Sequence, residues 1–100
     1  MAKPVIEIEG RRTRTLNSFL KEISRAVIPG KTWGQNLDAF NDILRGGFGT
    51  PDEGFILRWV RSDRAREHLG DRLFDTIVEI VRVHGPGGAE AEDGVELELA

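Results

Sequence analysis

The sequence predicts an α/β fold: a three-stranded parallel sheet in order 1-2-3 with helices packed on one face. Three observations carry that expectation. Val5–Glu9 (VIEIE) and Val95–Leu99 (VELEL) alternate apolar and acidic residues, the pattern of a half-buried strand. Phe55–Val60 (FILRWV) is apolar on both parities except at Arg58, as expected of a strand with neighbours on both sides. The stretches between these strands, roughly 45 and 35 residues, are helix-patterned and too long for hairpins, so both connections should be right-handed crossovers between parallel strands. The acidic faces of the two edge strands leave helices on the other face only.

In chain order, Ile6 and Ile8 form the inward face of the first strand, and Glu7 and Glu9 the outward one. A first helix follows with Leu16, Phe19, Leu20, Ile23 and Val27 at 3–4 spacing, capped by Thr15 or Asn17 and stopped by Pro29 and Gly30. Asn36 to Leu44 is a second, shorter helix whose inward face is predicted as Leu37, Phe40 and Leu44; Gly46, Gly47 and Gly49 end it. After the middle strand, Ser62 opens a short polar helix ending near Gly70. Asp71 opens a longer one with Leu73, Phe74, Ile77, Val78 and Val81 inward, ending at His84 and Gly85. Gly85–Gly94 (GPGGAEAEDG) reads as an unpacked loop.

At 100 residues, 39% hydrophobic and 31% charged, the chain describes one domain over 1–100, too small to bury a dinucleotide-sized cofactor. No cofactor is expected. The net charge of −3 is the wrong sign for a domain that lives on phosphate backbones, so no nucleic-acid partner is expected. The absence of cysteine removes disulfides, thiolate zinc sites and cysteine nucleophiles. Glu7 and Glu9 interrupt Met1–Gly10 where a secretory signal needs an apolar run, and no segment reaches membrane-span length. A cytoplasmic, membrane-free protein is expected.

Few residues point to chemistry. His68 and His84 lie at the ends of different predicted helices without ligand-like neighbours, where a histidine meets the negative end of the helix dipole. No metal site is expected. Neither G-x-S-x-G nor G-x-G-x-x-G occurs. Arg11, Arg12 and Arg14, and the Arg45-Gly46-Gly47 triplet, could touch RNA, but a solvated face is the blander explanation in an acidic chain. The informative pair is Asp38 and Asp42, four residues apart on one helix face with Asn41 and Arg45. Asp38 lies in the first turn, where the dipole favours a carboxylate; Asp42 meets both a like charge and the wrong end of the helix. Either this is a solvated face, or the pair awaits a cationic partner. If Asp42 is exposed and free of internal hydrogen bonds, its replacement by alanine should raise the melting temperature.

Trp33-Gly34-Gln35-Asn36-Leu37-Asp38-Ala39-Phe40-Asn41-Asp42-Ile43-Leu44 resembles the aromatic-G-x-N-L-D-A-hydrophobic-x-D segment of barstar-type ribonuclease inhibitors. The likeness extends, more loosely, from about Val5 to Leu99. It implies a barstar-like fold and a non-enzymatic, intracellular inhibitor of a secreted guanyl-specific ribonuclease, bound 1:1 by a protein that is monomeric when free. The second helix and the loop before it would plug the enzyme's active site, carboxylates taking the positions of substrate phosphates. By resemblance Asp42 is the principal acidic plug and Asp38 the second carboxylate. Trp33, Gly34 and Asn36 match the contact loop, and Gly46 a glycine beyond the helix.

The departures are equally specific. Thr32, Asn41 and Gly47 stand where the family's type member has tyrosine, tryptophan and another aromatic residue, so the interface is rearranged or the partner differs. The family's extra acidic contact on the last helix falls on Thr76 in one alignment and on Glu79 or its neighbour in another; Glu79 is the working choice. Arg45 is either a structural helix-end cation or the counterpart of a catalytic carboxylate on the partner. The alternatives are a binding module of the same fold with a nonribonuclease partner, and a small hydrolase using Asp38 and Asp42 as acid and base. The hydrolase needs a dry pocket that a convex helix does not offer.

Overall fold

In the computed structural model, which describes residues 3–100, three parallel strands lie side by side in the order β1-β2-β3. Met1 and Ala2, the first residues of the stretch read against a secretory signal, lie outside the described residues. β1 is Val5–Glu9, β2 Phe55–Val60 and β3 Val95–Leu99, each with the bounds expected from its pattern. Ile8 pairs with Trp59 and Glu7 with Arg58 on one side of β2; Leu57 pairs with Leu97 and Arg58 with Glu98 on the other. Register places one parity inward: Ile8, Phe55, Leu57, Trp59 and Val95 are buried. The other parity carries Glu7, Arg58 and Glu98, and the Arg58 guanidinium bonds both neighbouring carboxylates, at 3.4 and 2.7 Å. Opposite charges across strands thus hold the open face while apolar residues hold the covered one.

Helix α1 (Leu16–Ala26) starts at Thr15, whose hydroxyl accepts the Ser18 backbone N–H while Ser18 caps Thr15 in return. Its apolar stripe is buried at Phe19, Leu20 and Ile23. Between Phe19 and Phe74 lies Trp59, its ring 5.2 Å from the first and 4.9 Å from the second. The Trp59 indole N–H donates to Thr13 Oγ1 at 3.1 Å, which satisfies a polar atom at the centre of the core.

One charge is buried that no sequence pattern marks. Glu22 on α1 is almost fully covered, accepting the Glu9 backbone N–H at 2.9 Å and two Arg25 hydrogen bonds at 2.8 Å. Burial pushes its carboxyl up, but these donors outweigh burial and leave it below the usual glutamate range.

Helix α2 (Leu37–Leu44) buries Phe40, Ile43 and Leu44. Of the expected inward face, Phe40 and Leu44 are buried and Leu37 packs against the core, and one position is added to it. Leu37 is the first helical residue and only half-buried, and the stripe continues through Ile43, one turn beyond Phe40. Helices α3 (Ser62–Leu69) and α4 (Asp71–Val83) follow β2 as expected, with Phe74, Ile77, Val78 and Val81 of α4 buried.

The segment Gly85–Gly94, expected to be an unpacked loop, is packed. A Cβ at Gly88 would lie 2.3 Å from the carbonyl oxygens of Arg82 and Val83, so glycine there lets the chain fold tightly back on α4. Glu90 N–H donates to Val83 O at 2.8 Å, and a short 3-10 turn, Ala91–Asp93, leads into β3. Low complexity here encodes close backbone contact rather than disorder.

Candidate functional site

The second helix is positioned by its first residues. Asn36 is the cap, its side-chain oxygen accepting the Ala39 backbone N–H at 2.8 Å. Ahead of it, Trp33 is half-buried and ties its indole N–H to Ser24 of α1, while Thr32, Gly34 and Asn36 are exposed. At the far end Arg45 closes the helix, and Gly46 at φ +98° turns the chain away in a conformation that costs glycine least.

Asp38 and Asp42 are both exposed. Asp38 shares a shallow cleft with Leu37, Asn41, Ile80 and Val83, and two further carboxylates reach it: Glu79 from α4 and Glu90 from the glycine-rich segment. Thr76, the other candidate for the extra acidic position, instead donates its hydroxyl to Arg72 O within its own helix, at 2.9 Å. Asp42 lies outside the cleft but is joined to it by Arg45, which donates to Asp42 at 2.9 Å and to Glu90 at 2.8 Å. That contact holds the Glu90 carboxyl below its ordinary range and lifts Arg45 above its own, since each charge favours the other. The condition attached to Asp42, freedom from internal hydrogen bonds, is therefore not met.

Asn41 is half-buried and turned inward. Its Oδ1 lies 2.6 Å from Nε2 of His84, whose Nδ1 lies 2.7 Å from the Asp93 carboxylate. His84 is fully buried, where the sequence pointed only to a dipole contact at a helix end. It caps α4 as that reading required, but it also bridges α2 to the segment before β3. His84, Glu90 and Asp93 bring ligand-type atoms within 4.8 Å of one another. Each already has a protein partner: Asn41 and Asp93 flank the imidazole, and Arg45 takes Glu90.

All ten sequence-selected residues, Thr32, Trp33, Gly34, Asn36, Asp38, Asn41, Asp42, Arg45, Gly46 and Glu79, thus fall on α2, its flanking loops or the adjoining turn of α4. Glu90 and Phe48 were missed. Glu90 was hidden in a stretch read as unpacked. Phe48, 36% exposed just past Gly47, is a large apolar side chain held out to solvent beside a position where the family's type member has an aromatic residue. The run Gly46-Gly47-Phe48-Gly49 was the available signal, an aromatic residue that glycines on both sides cannot shield.

Fold and surface together define a small α/β protein that presents carboxylates from a capped helix, a neighbouring helix and an ordered loop. The chain belongs to the barstar family: the family model described as barstar (barnase inhibitor) matches residues 3–99. That is an inhibitor family. A comparison with curated proteins finds no match. Among the described residues, no helix is long and apolar enough to cross a membrane.

Proposed function

We propose that this protein is a cytoplasmic inhibitor of a secreted guanyl-specific ribonuclease, forming a 1:1 complex in which α2 and the loop before it enter the active site. The observation that carries this reading is the convergence of Asp38, Glu79 and Glu90 on one exposed cleft, with Asp42 a turn further along the same helix. A ribonuclease must hold phosphates with arginine, lysine and histidine. Carboxylates carried on packed elements can accept from those donors with little backbone freedom left to lose on binding. Asn36, Trp33 and Gly34 set the entry of the helix, and Arg45 fixes its exit. Phe48 supplies apolar area near the position that lacks the type member's aromatic residue.

The test is inhibition of a purified guanyl-specific ribonuclease from the same source by the wild-type protein and by Asp38→Asn, Asp42→Asn and Glu79→Gln. Stoichiometric inhibition by the wild type and its loss in the aspartate variants are expected. Full inhibition by all three variants would remove the carboxylates from the mechanism.

A second reading, a nonribonuclease partner on the same surface, is favoured by the inward turn of Asn41. A residue committed to His84 cannot take the place of a partner-facing tryptophan. Capture of a non-nuclease protein that Asp38→Asn and Glu79→Gln release would support that reading over the first.

A further inference from the structure

At the carboxyl ends of β1 and β2 the surface has the opposite character. A cleft of about 360 Å³ is lined by Arg11, Arg14, Arg64 and His68, with no carboxylate in its wall. A shallower depression continues from it past Arg12, Thr15 and Ser18 to the start of α1. None of Arg11, Arg12, Arg14 and Arg64 forms an ion pair among the described residues, whereas Arg25, Arg45, Arg58, Arg61 and Arg66 all do. Glu9 and Glu22, the carboxylates whose charges reach Arg11 and Arg12, are committed elsewhere. Glu9 bonds the Arg61 side chain and the Arg11 backbone N–H, and Glu22 bonds Arg25 and the Glu9 backbone N–H.

The arginine turn is held from beneath. Gly10 lies so close to the end of β2 that a Cβ there would sit 1.9 Å from Arg61 O, so the turn that follows is pressed against the start of α3. Thr13, fully buried between the exposed Arg12 and Arg14, donates its hydroxyl to Gly10 O at 3.0 Å and accepts the Trp59 indole N–H at 3.1 Å. The backbone bearing Arg11, Arg12 and Arg14 is therefore anchored to the core, facing Arg64 and His68 on α3. Three guanidinium groups that line one cleft without a carboxylate repel one another, and a bound anion would relieve that repulsion.

We propose that this cleft binds the phosphate group of a small phosphorylated ligand, with Arg14 and Arg64 as bidentate donors and Arg11 and His68 supplying further N–H groups. Guanidinium forks match the spacing of phosphate oxygens, and an anchored turn spends little entropy in presenting them. The acidic surface lies at the other end of the sheet, where α2 and Gly85–Gly94 lead into the amino ends of β2 and β3. The proposal is independent of ribonuclease inhibition.

The experiment is calorimetric titration of the intact protein at low salt with inorganic phosphate, ADP and, as a control, chloride, repeated on Arg14→Gln, Arg64→Gln and Asp38→Asn. Saturable binding of phosphate or ADP but not chloride is expected, weakened roughly tenfold by each arginine substitution and unchanged by Asp38→Asn. Binding of ADP alone would assign the source as a nucleotide, and equal binding of both probes would assign the site to the phosphate itself. Melts of the two arginine variants, both altered at exposed positions, verify that they are folded. Absence of saturable binding, or binding that both arginine variants retain in full, overturns the proposal.

Discussion

Nε2 of His84 lies 2.6 Å from Oδ1 of Asn41, which fastens the helix bearing Asp38 and Asp42 to the ordered segment before β3. The same ring holds Asp93 through Nδ1, so one buried imidazole fixes both sides of the acidic cleft. Geometry of the carboxylates thus depends on a residue that cannot itself touch a partner.

Replacing His84 by alanine should therefore act twice. It opens a cavity and leaves the Asn41 amide and the Asp93 carboxylate without their partner, a combined cost of about 3–5 kcal/mol in the free protein. Partner affinity should also fall, because the loop carrying Glu90 loses its tie to α2. Urea unfolding and a binding titration check this. Wild-type affinity in a variant of lowered stability would show that the bridge supports the fold alone.

The strands and the outlines of all four helices were legible because period-2 and 3.6-residue patterns record which face is apolar, and the glycines and prolines mark where elements stop. The acidic pair on α2 was legible because two carboxylates four residues apart make poor sense within a free helix. Glu22, His84 and Glu90 were not legible. Their roles depend on partners 13, 43 and 45 residues away in sequence, and no local pattern encodes a polar contact between distant segments. The glycine-rich stretch misled for a related reason. Glycine marks a tight approach and a flexible loop by the same letter, and only the carbonyls facing Gly88 separate the two.

Acid should destabilise the protein through Glu9 and Glu22. The hydrogen bond from Arg61 holds the Glu9 carboxyl down at about 2, and Glu22 lies below its ordinary value as well. Because both are depressed in the folded state, their stabilisation is fully present above the unfolded value of 4.5 and is lost as pH falls through the folded values. Thermal melts should be flat from neutrality to about pH 5 and decline steeply below pH 4.5, towards 2. A Glu9→Gln variant should melt lower at neutral pH and show a shallower decline. A melting temperature independent of pH over that window would contradict the assignment.

Glu22→Ala tests the buried charge directly. It removes the acceptor for the Glu9 backbone N–H and leaves Arg25 without its partner, for an expected loss of about 2–4 kcal/mol. Glu22→Gln retains one acceptor and should lose less. Equal losses would mean that side-chain volume, not hydrogen bonding, is what the site requires.

Association with a cationic partner should slow as salt rises, because screening shortens electrostatic reach to about 8 Å near physiological ionic strength. Stopped-flow association at low and high salt measures this, and Glu90→Gln should flatten the dependence along with Asp38→Asn. A rate indifferent to salt would point to Phe48 and the apolar residues of the cleft, Leu37, Ile80 and Val83, as the principal contact.

Asp42 should be nearly silent in the free protein and costly in the complex. Alanine there relieves the repulsion with Asp38 and removes a carboxylate from the negative end of the helix, but it also breaks the 2.9 Å contact with Arg45. These opposing effects are each small at an exposed position, so the free variant should melt within about 0.5 kcal/mol of wild type rather than clearly above it. In a complex, the same change strands cationic groups of the partner without an acceptor, which costs about 2–5 kcal/mol. Arg45→Ala separates the two roles. It frees Asp42 and Glu90 together, so if Arg45 only holds them in place, affinity should fall less than in Asp42→Ala while the salt dependence of association steepens. Melts of both variants and titrations against the ribonuclease decide the matter. A large loss of stability in Asp42→Ala with unchanged affinity would make Asp42 a structural residue of the helix end and shift the acidic plug to Asp38, Glu79 and Glu90.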